Sequence, residues 1–380
     1  MKFLLIYVPN LRFAGYIDNY RTCKLIDISE IVTRTNENNS EYPIMMISAG
    51  KGFIAQSEKY SRDNAGTSIN KYILLKKGEL AYNRGNSKQF PYGAIYEMKE
   101  ECALIPYVYH CFNIYDESTR YFSHYLNSPF KDEQLSKIIT SSVRGNGLLN
   151  ISKNDFFNLS LNVPSIKEQN KIAKFLDLID QRIQTQSKII NDYKILKNHI
   201  IKSFIKQNGT SYLLSEIAEL GRGRVINSAE ISKQKNPIYP VYSSQTSNNG
   251  IMGYLDNYDY EGEYITWTTD GANAGTVYYR NGKFNCTNVC GILKIKNGYD
   301  AYYISNILNC YTKKYVSTNL ANPKLMNNVM ANIKINLPSI EQQKHSSKIL
   351  QSIEYRVEIE EDIKLNLVKQ KAFLLKNMFI

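Results

Sequence analysis

The sequence predicts a mixed α and β protein in which two globular domains are separated by two long, antiparallel coiled-coil helices. A long internal repeat is the first reason, because LNVPSIKEQNKI at 161–172 recurs as INLPSIEQQKHS at 335–346. The register of apolar residues then continues past both copies with a helical period. The segments before the copies alternate short apolar runs with Gly, Asn and Pro turns, which is typical of mixed domains.

Each copy of the repeat begins with a capping-box pattern, Ser165 with Glu168 and Ser339 with Gln342. The first helix should run from about residue 167 to 206, which is roughly 60 Å at 1.5 Å per residue, and Asn208-Gly209 is a stop signal. Apolar residues on the seams of both helices should pack against the partner helix. These residues are Leu176, Ile179, Ile183, Leu350, Ile353 and Val357.

The repeat divides the chain into four parts. They are a first globular domain at 1–163, a first helix at 164–208, a second globular domain at 209–337 and a second helix at 338–380. LIDISEI at 25–31 and LSEIAEL at 214–220 open the two domains alike, whereas the remaining parts of the domains differ. If each domain leads into its helix in the same way, the second helix must run back along the first. The fold should then have pseudo-twofold symmetry, with one globular domain at each end of the helix pair.

The composition favours a polyanionic partner. The chain has 47 Lys and Arg against 35 Asp and Glu, a formal net charge of +12, which favours nucleic acid first and an anionic membrane surface second. Lys, Asn, Ile and Tyr are over-used together, as in proteins from AT-rich genomes, so codon usage is an alternative source for part of this surplus. The apolar run at 3–8 is too short for an export signal or a membrane span. We therefore expect a cytoplasmic protein with no membrane partner.

The sequence predicts no catalytic residue and no metal site in this chain. Cys286 and Cys290 are close together, but no second Cys or His pair lies at zinc-site spacing. Asn-Pro-Ile-Tyr at 236–239 falls one residue short of an amino-methyltransferase motif, and no strand precedes it. Glu-Met-Lys at 97–99 is half of a metal-dependent nuclease motif without the converging carboxylates. A Walker motif, GxxxxGK[ST], is also absent.

The chain resembles a specificity subunit of a type I restriction-modification system over essentially its whole length. The resemblance depends on VPNLRFAGY at 8–16, on the two helix openings extended to 161–183 and 335–357, and on TTDGANAGTVYYRNGKFNCTNVCGIL at 268–293. The second copy departs from the first with His-Ser-Ser at 345–347 in place of Lys-Ile-Ala at 171–173. This departure could weaken one face for partner binding, but it leaves the class unchanged.

In that family, two target recognition domains each read one half of an interrupted, asymmetric double-stranded DNA sequence. The resemblance implies that the helices set the gap and bind two methyltransferase (M) subunits, and that restriction/translocase (R) subunits complete the complex. It places S-adenosylmethionine, Mg²⁺ and ATP on those partner subunits, and no cofactor on this chain.

Several loops have the residue types that contact phosphates and base edges, namely Arg, Lys, Asn, Gln, Ser and Thr. The same residue types are common in ordinary solvated turns. The candidates in the first domain are Tyr82, Asn83, Arg84, Asn86, Ser87, Lys88, Arg144 and Asn146. Those in the second are Arg222, Arg224, Ser243, Ser244, Gln245, Thr268 and Asn273.

Two other classes of function remain open from the sequence alone. Two divergent domains on a coiled-coil spacer could form an adaptor that binds other proteins, and a chain with its own methyltransferase or nuclease activity is a further alternative. Salt dependence separates DNA binding from the adaptor, because binding through many phosphates weakens steeply as salt rises.

Overall fold

The computed structural model describes residues 8–36, 41–60, 66–139, 148–317 and 322–380. Its internal contacts divide the chain into two units, Met1–Ser187 with Asp362–Ile380, and Lys188–Glu361. Each unit contains one globular segment and part of both long helices. The unit boundaries therefore lie within the helices and do not follow the four parts proposed from the sequence.

The first globular segment leads into the first long helix, which continues into the second unit. Its strands are β1 (Arg21–Lys24), β2 (Ser29–Ile31), β3 (Met45–Ser48), β4 (Gly52–Ala55), β5 (Ile73–Lys76), β6 (Leu80–Asn83), β7 (Ala94–Glu97), β8 (Cys102–Ile105), β9 (His110–Ile114) and β10 (Ser160–Val163). Its helices are α1 (Gln56–Lys59), α2 (Thr119–Tyr125), α3 (Pro129–Ile138), α4 (Lys153–Phe157) and the long α5 (Ile166–Ile205), with 3-10 turns at Leu25–Ile28 and Gly66–Lys71.

The second globular segment leads into the second long helix, which returns to the first unit. Its strands are β11 (Thr210–Leu213), β12 (Ala218–Arg222), β13 (Tyr239–Tyr242), β14 (Ile251–Leu255), β15 (Tyr260–Glu261), β16 (Tyr264–Thr268), β17 (Val277–Arg280), β18 (Lys283–Cys286), β19 (Cys290–Ile295) and β20 (Lys334–Leu337). Its helices are α6 (Leu214–Ile217), α7 (Ser228–Ser232), α8 (Ala301–Tyr311), α9 (Asn327–Ala331) and the long α10 (Ile340–Asn377), with 3-10 turns at Ser247–Gly250 and Thr312–Tyr315.

The two globular segments share the strand order of their central sheet. The central four-stranded sheet has the order β2-β9-β6-β7 in the first and β12-β19-β16-β17 in the second. Each segment is entered and left through a two-stranded antiparallel sheet, β1-β10 or β11-β20. Each also has a further antiparallel pair, β3-β4 or β13-β14. The duplication therefore includes the globular segments, although their sequences differ.

Buried glutamines near the start of each long helix make equivalent hydrogen bonds. Gln169 on α5 accepts from the backbone amide of Ser118 at 3.1 Å and donates to the Pro164 carbonyl at 2.9 Å. Gln343 on α10 accepts from the amide of Asp300 at 3.0 Å and donates to the carbonyl of the proline at 338 at 2.8 Å. Each glutamine thus ties its long helix to the start of the first helix after the central sheet.

An asparagine near each central sheet also makes an equivalent hydrogen bond in the two segments. The Ile95 amide donates to the Asn127 side chain at 3.0 Å, and the Val277 amide donates to the Asn309 side chain at 3.2 Å. The residues two positions earlier, Gly93 and Gly275, both have φ of +80°, a conformation that favours glycine. Buried side chains bind both of these glycine carbonyls, Lys131 at 2.7 Å in the first segment and Thr312 at 2.6 Å in the second.

The helix predictions are confirmed, with one correction at the start of α5. In the second unit, Lys194 on α5 pairs with Glu361 on α10 at 2.6 Å, and Lys197 pairs with Glu354. Positions rise along one helix as they fall along the other, so these portions run antiparallel. At the start of α10, Ser339 and Gln342 form the predicted capping box, with bonds of 3.2 and 3.4 Å.

At the start of α5 the predicted capping glutamate has a different role. Glu168 is 0% exposed and accepts two hydrogen bonds of 2.8 Å from the Arg12 guanidinium. The Tyr20 hydroxyl also donates to Glu168, at 3.3 Å. Burying a carboxylate is unfavourable in free energy unless a positive charge is close to it. The N-terminal segment therefore supplies the cation that satisfies this carboxylate.

The predicted seam residues lie in the cores of the two units, against a core, or half-buried on the helices. Leu176 and Ile179 are buried in the core of the first unit, and Ile183 packs against that core. Leu350 is buried in the core of the second unit, and Ile353 and Val357 are half-buried. Both apolar seams therefore contribute to the cores that support the globular segments.

Candidate nucleic-acid interface

In each globular segment, several strands of the central sheet end or begin at one edge. In the first, β6 ends at Asn83 opposite Ala94, the first residue of β7. In the second, β16 ends at Thr268, and Val277, the first residue of β17, lies opposite Trp267. Residues 84–93 and 269–276 are therefore equivalent loops at equivalent edges.

At the start of the first loop, two candidate side chains support the fold. Tyr82 is 0% exposed, and its hydroxyl donates to the Tyr92 carbonyl at 2.8 Å. The prediction that Tyr82 contacts DNA is therefore wrong, because its ring fills the core. The Arg84 guanidinium donates to the carbonyls of Ile151 at 3.0 Å and Val108 at 3.3 Å, so this cation braces the loop.

The accessible part of this loop follows Arg84. Asn83 is half-buried, and its side-chain oxygen accepts the Gly85 amide at 3.0 Å. Asn86 and Lys88 are exposed, and Ser87 is half-buried with its hydroxyl accepting the Phe90 amide at 3.1 Å. An amide and an ammonium group are therefore presented to solvent on a loop held at both ends. The candidates Arg144 and Asn146 lie outside the described residues.

In the second segment, the two arginines of Gly-Arg-Gly-Arg have different surroundings. Arg224 lies between Glu230 at 2.6 Å and Asp259 at 3.0 Å, so its charge is neutralised within the segment. Arg222 is 3.9 Å from its nearest acid, Asp270, and Lys324 is 3.6 Å from the same acid. Two cations share one carboxylate, which leaves net positive charge here. We refer to Arg222 and Lys324 as the second-segment cation pair.

Two further candidates lie beside this pair, one buried at the end of β16 and one exposed on the loop 269–276. Thr268 is 1% exposed, because it belongs to β16 and lies opposite Cys290, so the prediction that it contacts DNA is wrong. Asn273 is exposed, and its carbonyl accepts the Thr276 hydroxyl at 2.8 Å. Because this bond uses only the Asn273 carbonyl, the side chain is presented on a loop whose backbone is held in place.

The third group of candidates lies on the turn between β13 and β14. Ser243, Ser244 and Gln245 are half-buried, and the Ser243 amide donates to the Gly250 carbonyl at 2.9 Å. Sequence reasoning missed the residue beneath this turn, Arg280, which is 4% exposed. Burial lowers the pKa of its guanidinium. An isolated arginine at the end of a strand gives no sequence signal of burial, since arginine is mostly exposed.

The long helices carry apolar side chains that their own units leave uncovered. In the first unit, Leu178 is 50% exposed, Leu365 50% and Phe373 61%. In the second, Tyr355 is 66% exposed. Exposed apolar side chains on long helices are candidates for contact with partner proteins.

The described residues lack a metal-ligand cluster and a membrane-spanning helix. No group of three or more His, Cys, Asp and Glu side chains in the described ranges could hold a metal ion. Among the same residues, no helix is long and apolar enough to cross a membrane.

Known proteins resemble this chain in both sequence and fold. The family model of the type I restriction modification DNA specificity domain matches residues 18–193 and 208–370. A candidate type I specificity subunit of Mycoplasma pneumoniae is 37% identical over 201 residues, which are 52% of this chain and 83% of that protein. The specificity subunit of the type I restriction enzyme MpnII, from the same organism, is 42% identical over 146 residues, 38% of this chain and 43% of its own.

Two solved structures show the same fold at low sequence identity. The S subunit of a type I restriction-modification system from M. genitalium has a TM-score of 0.61 at 14% identity, covering 98% of this chain and 99% of that chain. A chain from a structural study of complex assembly and conformational transition in a type I system has a TM-score of 0.57 at 14% identity, covering 97% and 99%.

Proposed function

Because the chain belongs to the type I restriction-modification DNA specificity family and recognises a DNA target, we propose that each globular segment reads one half of an interrupted target. The observation that carries this proposal is that both segments have the same central sheet but different side chains on the loops at its edge. In both segments the strand after the loop donates a backbone amide to an equivalent asparagine, Ile95 to Asn127 and Val277 to Asn309. The loops themselves present different donors and acceptors.

The difference between the edges makes the proposed target asymmetric. The first segment exposes Asn86 and Lys88, whereas the second exposes Asn273 beside the second-segment cation pair. Amides can read base edges, and lysine and arginine can bind either phosphates or guanine. Two copies of one frame with different side chains at the reading edge should prefer different half-sites.

We assign the spacing between the half-sites to the long helices. Helix α5 has 40 residues, which is about 60 Å at 1.5 Å per residue. At about 3.4 Å per base pair, the half-site centres should lie within about 18 base pairs of each other. Removing four residues from the middle of each long helix should shorten the preferred gap by about two base pairs. An unchanged gap would contradict this role for the helices.

We assign the chemistry to partner proteins. The exposed apolar residues on the helices, such as Phe373 and Tyr355, suit the binding of two methyltransferase subunits, through which restriction/translocase subunits join the complex. The chain itself would be non-catalytic, and S-adenosylmethionine, Mg²⁺ and ATP would bind the partners. Such a complex would act on chromosomal DNA in the cytoplasm.

A genome-wide map of methylated bases, made with and without this gene, tests the function. We expect methylation at one interrupted, asymmetric motif to disappear when the gene is deleted and to return when it is restored. The same comparison in a clean host, with the neighbouring methyltransferase gene co-expressed, controls for a silent native system. Identical maps in the clean host, with both proteins present in soluble form, would contradict the proposal.

A further inference from the structure

The second globular segment contains a buried arginine without an acidic partner. Arg280, the last residue of β17, is 4% exposed, and no carboxylate of the described residues pairs with it. Burying a charge is unfavourable unless other contacts compensate for the lost hydration. The contacts that Arg280 makes therefore indicate what the residue is for.

Aromatic rings and two oxygens supply this compensation. The guanidinium carbon lies 3.5 Å from the centroid of the Tyr242 ring and 4.4 Å from that of Tyr278, close enough for cation–π attraction. The Nε atom donates to the Thr266 hydroxyl at 3.2 Å. The Nη2 atom donates to the Asn249 carbonyl at 2.9 Å, so one end of the side chain holds the turn between β13 and β14.

That turn has an unusual backbone. Asn248 and Asn249 have φ of 48° and 52°, and Gly250 has φ of 82°, so three consecutive residues lie in the left-handed region. Non-glycine residues persist there only when their surroundings hold them. The Arg280 bond to the Asn249 carbonyl is a direct contact from a neighbouring strand to this part of the turn. It therefore helps to fix the path of residues 243–250.

The first globular segment shows that the shared frame does not require this arginine. Ile95 and Val277 are equivalent because each amide donates to an equivalent asparagine. Three residues further on, the first segment has Met98 where the second has Arg280. Met98 is 0% exposed and carries no charge. In that segment the Gly50 amide, on the turn between β3 and β4, donates to the Tyr96 hydroxyl at 2.9 Å.

We propose that Arg280 is a positioning residue for target recognition, which holds turn 243–250 in the shape that lets Ser243, Ser244 and Gln245 read bases. The proposal rests on the proposed function, since it requires that the second segment reads DNA. These side chains are half-buried and are of the types that match base edges. Within the turn, the Gln245 side-chain amide donates to the Ile251 carbonyl and the Ser243 hydroxyl accepts the Gln245 backbone amide, so the fold of the turn sets what they present. Arg280 itself lies beneath the turn and acts through the backbone.

Selection from randomised double-stranded DNA by the full-length chain tests the proposal. The variants are Arg280→Met, which introduces the residue of the first segment, and Arg280→Lys, which keeps the charge but not the forked donors. Met98→Leu is the matched control, because this swap nearly conserves volume in the first segment. The readout is the base preference at each position of both half-sites, which a purely structural effect on overall affinity would not change.

For Arg280→Met we expect discrimination to fall about tenfold at one or more positions of one half-site, with the other half-site unchanged. Arg280→Lys should recover part of the loss, and Met98→Leu should select the wild-type motif. Wild-type preferences in both half-sites of folded Arg280→Met, or an equal loss of affinity for every sequence, would overturn the proposal.

If Arg280→Met does not fold, Thr266→Ala is the second variant. It removes the hydrogen bond from Arg280 to the Thr266 hydroxyl and alters the core less. Alanine stands at the equivalent position of the first segment, because Ala81 faces Tyr96 as Thr266 faces Tyr278. Thr266→Ala should weaken the same half-site preference, and an unchanged motif in this folded variant would overturn the proposal. If wild-type protein selects no two-part motif, the proposed function itself fails, which is a distinct result.

Discussion

The two globular segments agree where they meet the long helices and differ at their loop-bearing edges. Gln169 and Gln343 make matching hydrogen bonds at the helix starts, and Gly93 and Gly275 share one backbone conformation. At the end of β17, the second segment has Arg280 at the position where the first segment has the buried, apolar Met98. The comparison teaches that hydrogen bonds to the main chain can preserve a frame while the side chains at its reading edge change.

The helix starts contain one exception to this agreement, and it gives the largest expected effect on stability. Glu168 is buried against Arg12, whereas the equivalent Gln342 is exposed and makes only the capping box. Arg12→Ala should lower the free energy of unfolding of the first unit by about 3–5 kcal/mol, because it leaves a buried carboxylate unpaired. Gln342→Ala, its counterpart in the second unit, should cost about 1 kcal/mol.

Two spectroscopic signals separate the units in that experiment. The chain has a single tryptophan, and Trp267 is buried in the core of the second unit, so its fluorescence reports that unit. Circular dichroism reports both. Arg12→Ala should lower the denaturant concentration at which the first unit unfolds, which appears as a separate first step in the dichroism curve. The midpoint of the Trp267 fluorescence transition should not change. A common shift of both signals would contradict the separate roles of the two helix starts.

The shared glutamines should give paired effects of intermediate size. Gln169→Ala and Gln343→Ala each remove the partner of a backbone amide and of a buried carbonyl, which should cost about 1–3 kcal/mol. Gln169 also donates to Glu117, so its substitution should have the larger effect. Denaturant unfolding followed by dichroism and by Trp267 fluorescence measures both. A negligible effect in one unit beside a large effect in the other would break the proposed equivalence.

The first unit should be the more sensitive to acid, because it contains His110. Burial, with the nearby Arg84 charge, lowers the pKa of His110 to about 4, below an unfolded value of about 6.5. The unfolded chain therefore binds the proton first, and the stability from neutral His110 is present above pH 6.5 and lost as pH falls towards 4. At pH 5 the first unit should have lost about 2 kcal/mol.

Thermal unfolding at pH 7 and pH 5 measures this loss. The dichroism transition of the first unit should move ahead of the Trp267 fluorescence transition at the lower pH. His110→Phe removes the titrating group and should reduce the difference between the two pH values. The same acid shift in His110→Phe as in wild type would assign the sensitivity to other groups.

The ion pairs between the long helices should have the smallest effects. Lys194 and Glu361 are both exposed, and such pairs are worth about 0–1 kcal/mol. Lys371 in the first unit binds both oxygens of Asp180, at 2.6 and 2.7 Å, and is less exposed. Lys371→Ala should therefore destabilise its unit slightly more than Lys194→Ala destabilises the other. The opposite order in denaturant unfolding would contradict the ranking.

The repeat and the long helices could be predicted because their signals are local and periodic. The shared strand order of the central sheets could not, because strand pairing depends on contacts between distant residues whose identities differ, as with Tyr82 and Trp267 at equivalent strand positions. Tyr82 and Thr268 were assigned to loops because strand ends and turns have similar composition. Arg280 and Arg12 were missed because their partners, Asn249 and Glu168, are distant in sequence.

Exchange of one recognition segment tests the central claim most directly. Residues 20–163 would be replaced by the corresponding segment of a family member with a different target, and the methylated motif mapped by single-molecule sequencing in a host that also expresses the methyltransferase subunit. The account predicts that one half of the motif changes while the other half is kept. A change in both halves, or in neither, by a soluble hybrid that still directs methylation would contradict it.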